Sequence, residues 1–253
     1  MQNYTSQYYY RQQEGSKESA KEIIPLILKL ISPKSVIDVG CGVGTWLAVF
    51  KERGIEDILG IDGDYVDKKL LQIPPEKFLS FDLKKSLKLD RKFDLVVCLE
   101  VAEHLPEKSA ENFIKSLAEL GPIVLFSAAV PFQGGRNHIN EQWPEYWQKI
   151  FEKYNYVAVD ALRGKIWKND KIEYWYRQNI LFFVDKNYLD KNQILKEEYK
   201  KTNLNQISII HPELYIRSNK IPTIRKLLSL IPKSIKNSIK QRFLTIFAQY
   251  RKN

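Results

Sequence analysis

The stretch VIDVGCGVGTWL, Val36–Leu47, decides the fold. Its first half is a run of β-branched and apolar residues, typical of a buried strand, which meets Asp38 and then glycines at positions 40, 42 and 44. Its second half is apolar and predicts a helix that begins near Thr45. Glycine lets a ligand approach the main chain and permits positive φ in a tight turn, while a helix N-terminus presents free N–H groups. We therefore expect a nucleotide-bearing ligand at this turn.

Strands and helices alternate on both sides of this stretch, which predicts an α/β fold with a mostly parallel sheet covered by helices on both faces. Ligands of such sheets bind at the carboxyl ends of the strands. The predicted strands are 35–40, 57–62, 77–83, 92–101, 122–130, 156–162 and 178–185, and the predicted helices are 18–31 (interrupted near Pro25), 45–54, 65–72, 109–120 and 144–154.

Composition and cysteine content indicate a packed globular domain. The chain has 253 residues, of which 44% are hydrophobic, enough for one large packed domain. We expect no signal peptide, because the N-terminal segment is polar, and no membrane span, because no apolar run is long enough to cross a bilayer. These expectations are consistent with a cytoplasmic location. The two cysteines, Cys41 and Cys98, form no CxxC pair and indicate neither a zinc site nor a disulfide.

Acidic residues stand at four successive predicted strand ends: Asp38, Asp62, Asp82 and Glu100. Asp62 lies 22 residues after Gly40, where a carboxylate can accept hydrogen bonds from two ribose hydroxyls. Asp82 is placed to accept from an adenine amino group. The dinucleotide fingerprint GxGxxG and the phosphate loop GxxxxGK[ST] are both absent, which argues against a diphosphate ligand.

The motifs VIDVGCGVG, GIDGD, FDL and FDLVVCLEVAEHL together resemble the class I S-adenosylmethionine (SAM)-dependent methyltransferases, over about residues 30 to 185. The EVAEHL variant is typical of the branch that acts on small molecules, quinones and glycans. The resemblance implies a Rossmann-like three-layer α/β/α sandwich whose seven-stranded sheet has an antiparallel last strand. An acid-lined cleft suits SAM, which carries a sulfonium cation and an amino group.

The resemblance also implies roles for individual residues. Asp38 and the loop from Gly40 to Gly44 would face the methionine part of SAM, Asp62 the ribose, Asp82 and Leu83 the adenine, and Glu100 the methionine end. The predicted cofactor-binding residues are Asp38, Gly40, Cys41, Gly42, Gly44, Asp62, Gly63, Asp82, Leu83 and Glu100.

The loop after the fifth strand, PFQGGRNHINEQWPEYW, is where we expect the methyl acceptor. His138 is the candidate general base, with His104 as the alternative; His138 could instead only order the loop. Polar groups beside aromatic rings suit a sugar-like acceptor. Three scattered histidines predict no metal site, and His211 is expected to be structural. The predicted acceptor-binding residues are Gln133, Arg136, Asn140, Glu141 and Trp143.

The net charge of +10 belongs to the C-terminal end. Residues 214–253 contain ten lysines and arginines and no acid, which leaves 30 basic and 30 acidic residues elsewhere. Nucleic acid is not expected as a partner, because the rest of the chain is neutral and the motifs of DNA methyltransferases are absent after the fourth strand. Residues 222–253 predict basic amphipathic helices that bind the inner membrane surface, dock on the core or form a homodimer.

Three segments are therefore predicted: a helical N-terminal lid (1–30), the SAM-binding domain (31–185) and a helical C-terminal extension with the basic tail (186–253). The function predicted from these features is O-methylation of a sugar, glycan or other hydroxylated small molecule. The alternative is a non-catalytic SAM-binding or membrane-recruited interaction protein.

Overall fold

The computed structural model describes residues 6–219, with side chains from residue 14 onward, together with Pro232 and Ile235. The predicted membrane contact of residues 222–253 therefore lies outside the described residues, apart from those two. Within the part described, no helix has both the length and the apolar character that a membrane crossing requires.

Seven strands of the described chain form one sheet in the order β3-β2-β1-β4-β5-β7-β6. All neighbouring strands are parallel except where β7 pairs, because β7 runs antiparallel to both β5 and β6. The predicted fold class is confirmed, including the antiparallel last strand. The strands are β1 (Ser35–Val39), β2 (Asp57–Asp62), β3 (Phe78–Ser80), β4 (Leu95–Leu99), β5 (Ile123–Ser127), β6 (Tyr156–Val159) and β7 (Leu181–Asp185).

Helices cover both faces of the sheet and create two apolar clusters, one on each face. One cluster contains buried side chains of α1 and α2, and the other contains those of α3 and α4. The α-helices are α1 (Ser6–Leu30), α2 (Thr45–Glu52), α3 (Ala110–Leu120), α4 (Pro144–Glu152), α5 (Arg163–Ile166), α6 (Tyr174–Asn179), α7 (Lys186–Leu189), α8 (Gln193–Lys201) and α9 (Pro212–Ser218).

Helix α1 runs through Pro25 without the predicted interruption. Proline in a helix interior removes a hydrogen bond and costs about 3 kcal/mol. Ile23, Ile24 and Ile27 are fully buried on either side of it, so both halves of the helix are held against the core. Tertiary packing therefore outweighs the local penalty, and the sequence expectation of a break was wrong.

Two further expectations were wrong at the local level. The helix predicted over 65–72 is only a single 3-10 turn, Lys68–Leu70, which the side chain of Asp67 caps. Gln178 and Asn179, assigned to the last strand, instead end helix α6. The second difference matters because it places Asn179 at the carboxyl edge of β5.

One compact unit ends at Tyr215 and includes the SAM-binding segment together with the first part of the predicted C-terminal extension. The buried isoleucines of α1 belong to its core. The predicted division at residues 30 and 185, like the lid function of residues 1–30, stays a prediction.

Candidate active site

The glycine loop connects β1 to α2, and its three alternate glycines all have positive φ. At Gly40 a β-carbon would lie 2.3 Å from Cγ2 of Val101, and at Gly44 it would lie 2.8 Å from Cγ1 of Ile73. At Gly42, with φ of 54°, no atom lies within 4 Å of the β-carbon position. Packing thus requires glycine at the two outer positions, while only the middle one opens toward free space.

Asp62, at the end of β2, connects the glycine loop to the loop that follows β2. Its carboxylate accepts hydrogen bonds from the amides of Gly42 (2.6 Å) and Gly63 (2.7 Å) and from the hydroxyl of Tyr65. The side chain is 5% exposed. Sequence reasoning missed Tyr65, whose hydroxyl donates to the carboxylate that is predicted to bind the ribose.

Asp38 is a second buried acid beside Asp62. Its side chain is 4% exposed, and burial, followed by the negative charge of Asp62, raises the pKa of Asp38 well above its ordinary value. Both cysteines are free, and burial raises the pKa of the Cys41 and Cys98 thiols. A ligand cation near Asp38 and Asp62 would relieve the repulsion between the two carboxylates.

Glu100 follows β4 with a φ of 56°, a region that residues other than glycine rarely adopt. Its carboxylate accepts hydrogen bonds from Nε2 of Gln133 (2.8 Å) and Nδ2 of Asn179 (3.1 Å). The Asn179 amide also donates to Oε1 of Gln133 (2.9 Å). Burial raises the pKa of Glu100, while hydrogen bonds from Asn179, Ser127 and Gln133 lower it. Gln133, predicted to bind the acceptor, thus contacts a predicted cofactor residue.

The structure brings two of the three histidines together. The rings of His104 and His138 lie edge to face, with centroids 4.8 Å apart. The Nδ1–H of His138 donates to Oε1 of Glu141 (2.9 Å), and that of His104 donates to the carbonyl of Asn137 (3.3 Å). Burial is the main cause that lowers the pKa of His104. The sequence expectation that the histidines are scattered was therefore wrong for this pair.

Glu141 orders the loop after β5. Besides its bond to His138, its carboxylate accepts from the amides of Phe132 (2.9 Å) and Gly134 (2.8 Å). Gly135 packs against the His138 ring, since a β-carbon there would lie 2.1 Å from Nε2. The predicted acceptor role of Glu141 stays a prediction; what the structure shows is a carboxylate that holds His138.

The other predicted residues have varied positions. Asp82 is exposed and accepts from the amide of Lys84, and Leu83 is buried. Asn140 is 4% exposed, and its Oδ1 accepts from Nε2 of Gln142 (3.0 Å). Arg136 and Trp143 are exposed on the loop after β5. These placements leave their roles as predictions.

His211 lies in a separate buried network. Its Nε2–H donates to the carbonyl of Trp167 (2.9 Å), and its Nδ1 accepts from the amide of Glu213 (3.2 Å). Its amide donates to Oε1 of Gln178 (2.7 Å). Gln178 is next to Asn179, so this network supports the residue that contacts Glu100.

Comparison with known proteins identifies the family. A family model described as "Methyltransferase domain" matches residues 9–170. The chain belongs to this methyltransferase family. Its fold, glycine loop and acidic cleft are those of a class I SAM-dependent methyltransferase domain, and SAM is the cofactor of this class.

Individual methyltransferases show how far the similarity extends. The chain is 30% identical over 168 residues to magnesium protoporphyrin IX methyltransferase, chloroplastic, from Arabidopsis thaliana. That match covers 60% of this chain and 54% of the relative, so the chain spans about half the length of that enzyme.

Solved structures of methyltransferases share the fold. Magnesium protoporphyrin IX methyltransferase from Synechocystis PCC 6803 with bound SAM has a TM-score of 0.51 at 20% identity, covering 74% of this chain and 87% of that one. The sugar N-methyltransferase KedS8 from Streptoalloteichus sp. ATCC 53650 has a TM-score of 0.56 at 13% identity, covering 73% and 94%. At these identities the likeness concerns the fold alone.

Proposed function

We propose that this methyltransferase transfers the methyl group of SAM to a hydroxyl oxygen of a sugar, glycan or other hydroxylated small molecule. The observation that carries the proposal is the orientation of His138. Its Nδ1–H is held by Glu141, which leaves Nε2 as the ring nitrogen that can accept a proton. A hydroxyl acceptor needs such a base, because its oxygen is a weak nucleophile while it keeps its proton.

The proposed step is an in-line displacement. The acceptor O–H proton moves to Nε2 of His138, with His104 as the alternative, and the oxygen lone pair forms a bond to the methyl carbon. The bond from that carbon to sulfur breaks with its electron pair remaining on sulfur, which yields S-adenosylhomocysteine (SAH). The protein mainly aligns the two reactants and excludes water.

The cofactor roles follow the acidic cleft. Asp38, Asp62 and Glu100 surround it with carboxylates, which favours a ligand with a sulfonium and an amino group. We assign the ribose to Asp62 and the methionine end to Glu100. The side chain of Tyr65 would leave Asp62 when the ribose binds.

The experiment uses SAM labelled on its methyl group, incubated with the protein and extract of its source cells. Lipids, glycans, small molecules, protein and nucleic acid are then separated, and mass fragmentation of the labelled product identifies the methylated atom. Label on oxygen in the glycan, lipid-linked glycan or small-molecule fraction is expected. Label on nitrogen, or in protein or nucleic acid, would contradict the proposal; SAM binding without label would favour the non-catalytic alternative.

A second experiment addresses the base. In His138→Ala we expect SAH affinity within about twofold of wild type and a fall in turnover of about 100-fold or more, the size of a general-base contribution. Because the same variant is titrated with SAH, retained SAH binding shows that it is folded. Near-normal turnover would remove His138 from the mechanism.

Location and assembly complete the proposal. A cytoplasmic protein that touches the inner membrane surface through residues 222–253 would meet an acceptor carried on a lipid. Vesicles with and without anionic lipid at low salt test this with the full chain. Sedimentation of the chain without vesicles tests the homodimer.

A further inference from the structure

The feature that the proposed function leaves unused is the carboxylate of Glu103. This side chain is 0% exposed, and within the described residues neither of its oxygens makes a hydrogen bond of good geometry; the backbone amides of Glu103 and Ala129 lie close enough only to lower its pKa. A buried carboxylate without a partner is costly, and such groups are normally paired or bind a metal. The charges that act on it most strongly are those of Glu100 and Glu141, which are also negative.

Two imidazoles lie beside this carboxylate. A carboxylate oxygen of Glu103 and ring nitrogens of His104 and His138 all lie within 4.8 Å of one another. Each histidine donates its Nδ1–H to an oxygen, Asn137 O for one and Glu141 Oε1 for the other. That arrangement puts the lone pair of each ring on Nε2, which in His138 lies beside Gly135, and it is the arrangement that metal-binding histidines show.

Main-chain contacts hold the two segments together. The carbonyl of Glu103 accepts hydrogen bonds from the amides of Ile139 (2.9 Å) and Asn140 (3.0 Å). The loop after β4 is thereby fixed to the loop after β5, directly next to His138. The cluster is thus part of a fixed junction, although the two histidines are 34 positions apart in the sequence.

We propose that Glu103, His104 and His138 bind a divalent cation whose open coordination positions take oxygen atoms of the methyl acceptor. Two imidazoles and one carboxylate suit Mn²⁺, Fe²⁺, Co²⁺ or Zn²⁺ better than Mg²⁺ or Ca²⁺, which prefer oxygen ligands. Metal–nitrogen bonds of about 2.1 Å require the ligand atoms to close to roughly 3 Å from one another. Side-chain movements on the order of 1 Å achieve this.

The inference rests on the proposed methylation of oxygen, and it replaces the histidine base with a cation as the group that activates this oxygen. With the cation bound, the two Nε2 atoms are ligands rather than bases. The cation lowers the pKa of a coordinated hydroxyl, so its proton leaves to water and the oxygen attacks the methyl carbon as described above. Two neighbouring hydroxyls of a sugar could occupy two open positions at once, which would fix the acceptor.

The first test measures binding without SAM or acceptor. The full chain, free of any histidine tag and stripped with EDTA, is titrated with MnCl₂ while the electron paramagnetic resonance signal of free Mn²⁺ is followed. One site per chain is expected, and ZnCl₂ should displace the Mn²⁺. Absence of binding of both ions by a protein that still binds SAH would overturn the proposal.

Variants locate the site. Glu103→Gln keeps the size of the side chain, removes the buried charge, and should weaken Mn²⁺ binding by at least about tenfold. Glu141→Gln, which weakens the hydrogen bond to His138 and also alters the acceptors of the Phe132 and Gly134 amides, should weaken Mn²⁺ binding by roughly 10-fold. Glu107→Gln is the matched control, since Glu107 is an exposed carboxylate four positions away, and it should bind Mn²⁺ like wild type. Equal affinity in Glu103→Gln and Glu107→Gln would place the ion elsewhere.

Labelled-SAM assays separate this inference from the proposed function. Oxygen methylation that is equally fast in metal-stripped and Mn²⁺-loaded protein would refute the cation site and leave the proposed function standing. Mn²⁺ binding that needs Glu103, together with label on an atom other than oxygen, would support the site and refute the proposed function.

Discussion

Replacing Gly42 by alanine distinguishes a loop that binds the cofactor from a loop that only turns the chain. Gly42 has φ of 54° and no atom within 4 Å of its β-carbon position. Gly54, at the end of α2, has φ of 91° and the same open surroundings. Alanine would therefore be strained by a positive φ at both positions. The two positions differ because only Gly42 donates a hydrogen bond to Asp62.

The magnitude of the effect on stability should be similar at both positions. A left-handed conformation costs an alanine about 1–2 kcal/mol. For a chain of this size that corresponds to a fall in the melting temperature of about 2–8 °C. Neither methyl group meets another protein atom, so no packing term is added.

Cofactor affinity should separate the two variants. In Gly42→Ala we expect the new methyl group to enter the space that we assign to the cofactor, and an overpacked contact costs about 1–3 kcal/mol, or about 5–150-fold in affinity. In Gly54→Ala the affinity should stay within about twofold of wild type. Isothermal titration with SAH measures both. If both variants bind SAH equally well, the cofactor does not lie over Gly42, and the assignment of the loop is refuted.

Three further outcomes are expected. Asp62→Asn should weaken SAH binding about 10–150-fold in titration, because a charge-assisted hydrogen bond contributes about 1.5–3 kcal/mol; unchanged affinity would remove Asp62 from the ribose site. Burial raises the pKa of Glu103 above its ordinary 4.5, so the metal-free folded state binds the carboxyl proton more tightly than the unfolded state does. This proton therefore stabilises the folded state at low pH, and the stabilisation is lost as the pH rises through the pKa of the folded state. Urea unfolding in EDTA at pH 5 and pH 8 should therefore show Glu103→Gln gaining stability relative to wild type at the higher pH, and no change in the difference would contradict this. Arg163→Met should cost about 3–5 kcal/mol in urea unfolding, because the buried guanidinium of Arg163 bonds Asp160 and the carbonyls of Gln178 and Ile207; a loss below about 1 kcal/mol would show that the network relaxes.

The positions of the glycine turn and of the acidic residues in the sheet could be predicted because their signals are local. Alternating strands and helices fix which chain segments end at the same edge of a parallel sheet, and Asp38, Asp62 and Glu100 each stand at such an end. The glycine spacing fixes the turn. These residues therefore lie at one edge of the sheet as predicted, while their individual contacts with SAM stay predictions.

The acceptor side could be predicted only in part, because its geometry depends on where two long connections meet. Nothing in the spacing of His104 and His138 indicates that their rings touch. Asn179 was assigned to the last strand, and its contact with Glu100 exists only because helix α6 ends there. At Pro25 the prediction was wrong for the opposite reason. The local tendency of proline to break a helix is outweighed by the packing of α1 on the core.

The position of β7 has a consequence for the chain as it leaves the ribosome. Strand β7 lies between β5 and β6 and pairs with both. Strand β6 therefore cannot join the sheet, and one edge of β5 stays open, until residues 181–185 have been synthesised. An unpaired apolar strand edge invites pairing with other chains. We therefore expect fragments that stop before residue 181 to aggregate. Synthesis of the last strand should be the step that closes the edge of β5 and protects the nascent chain from aggregation.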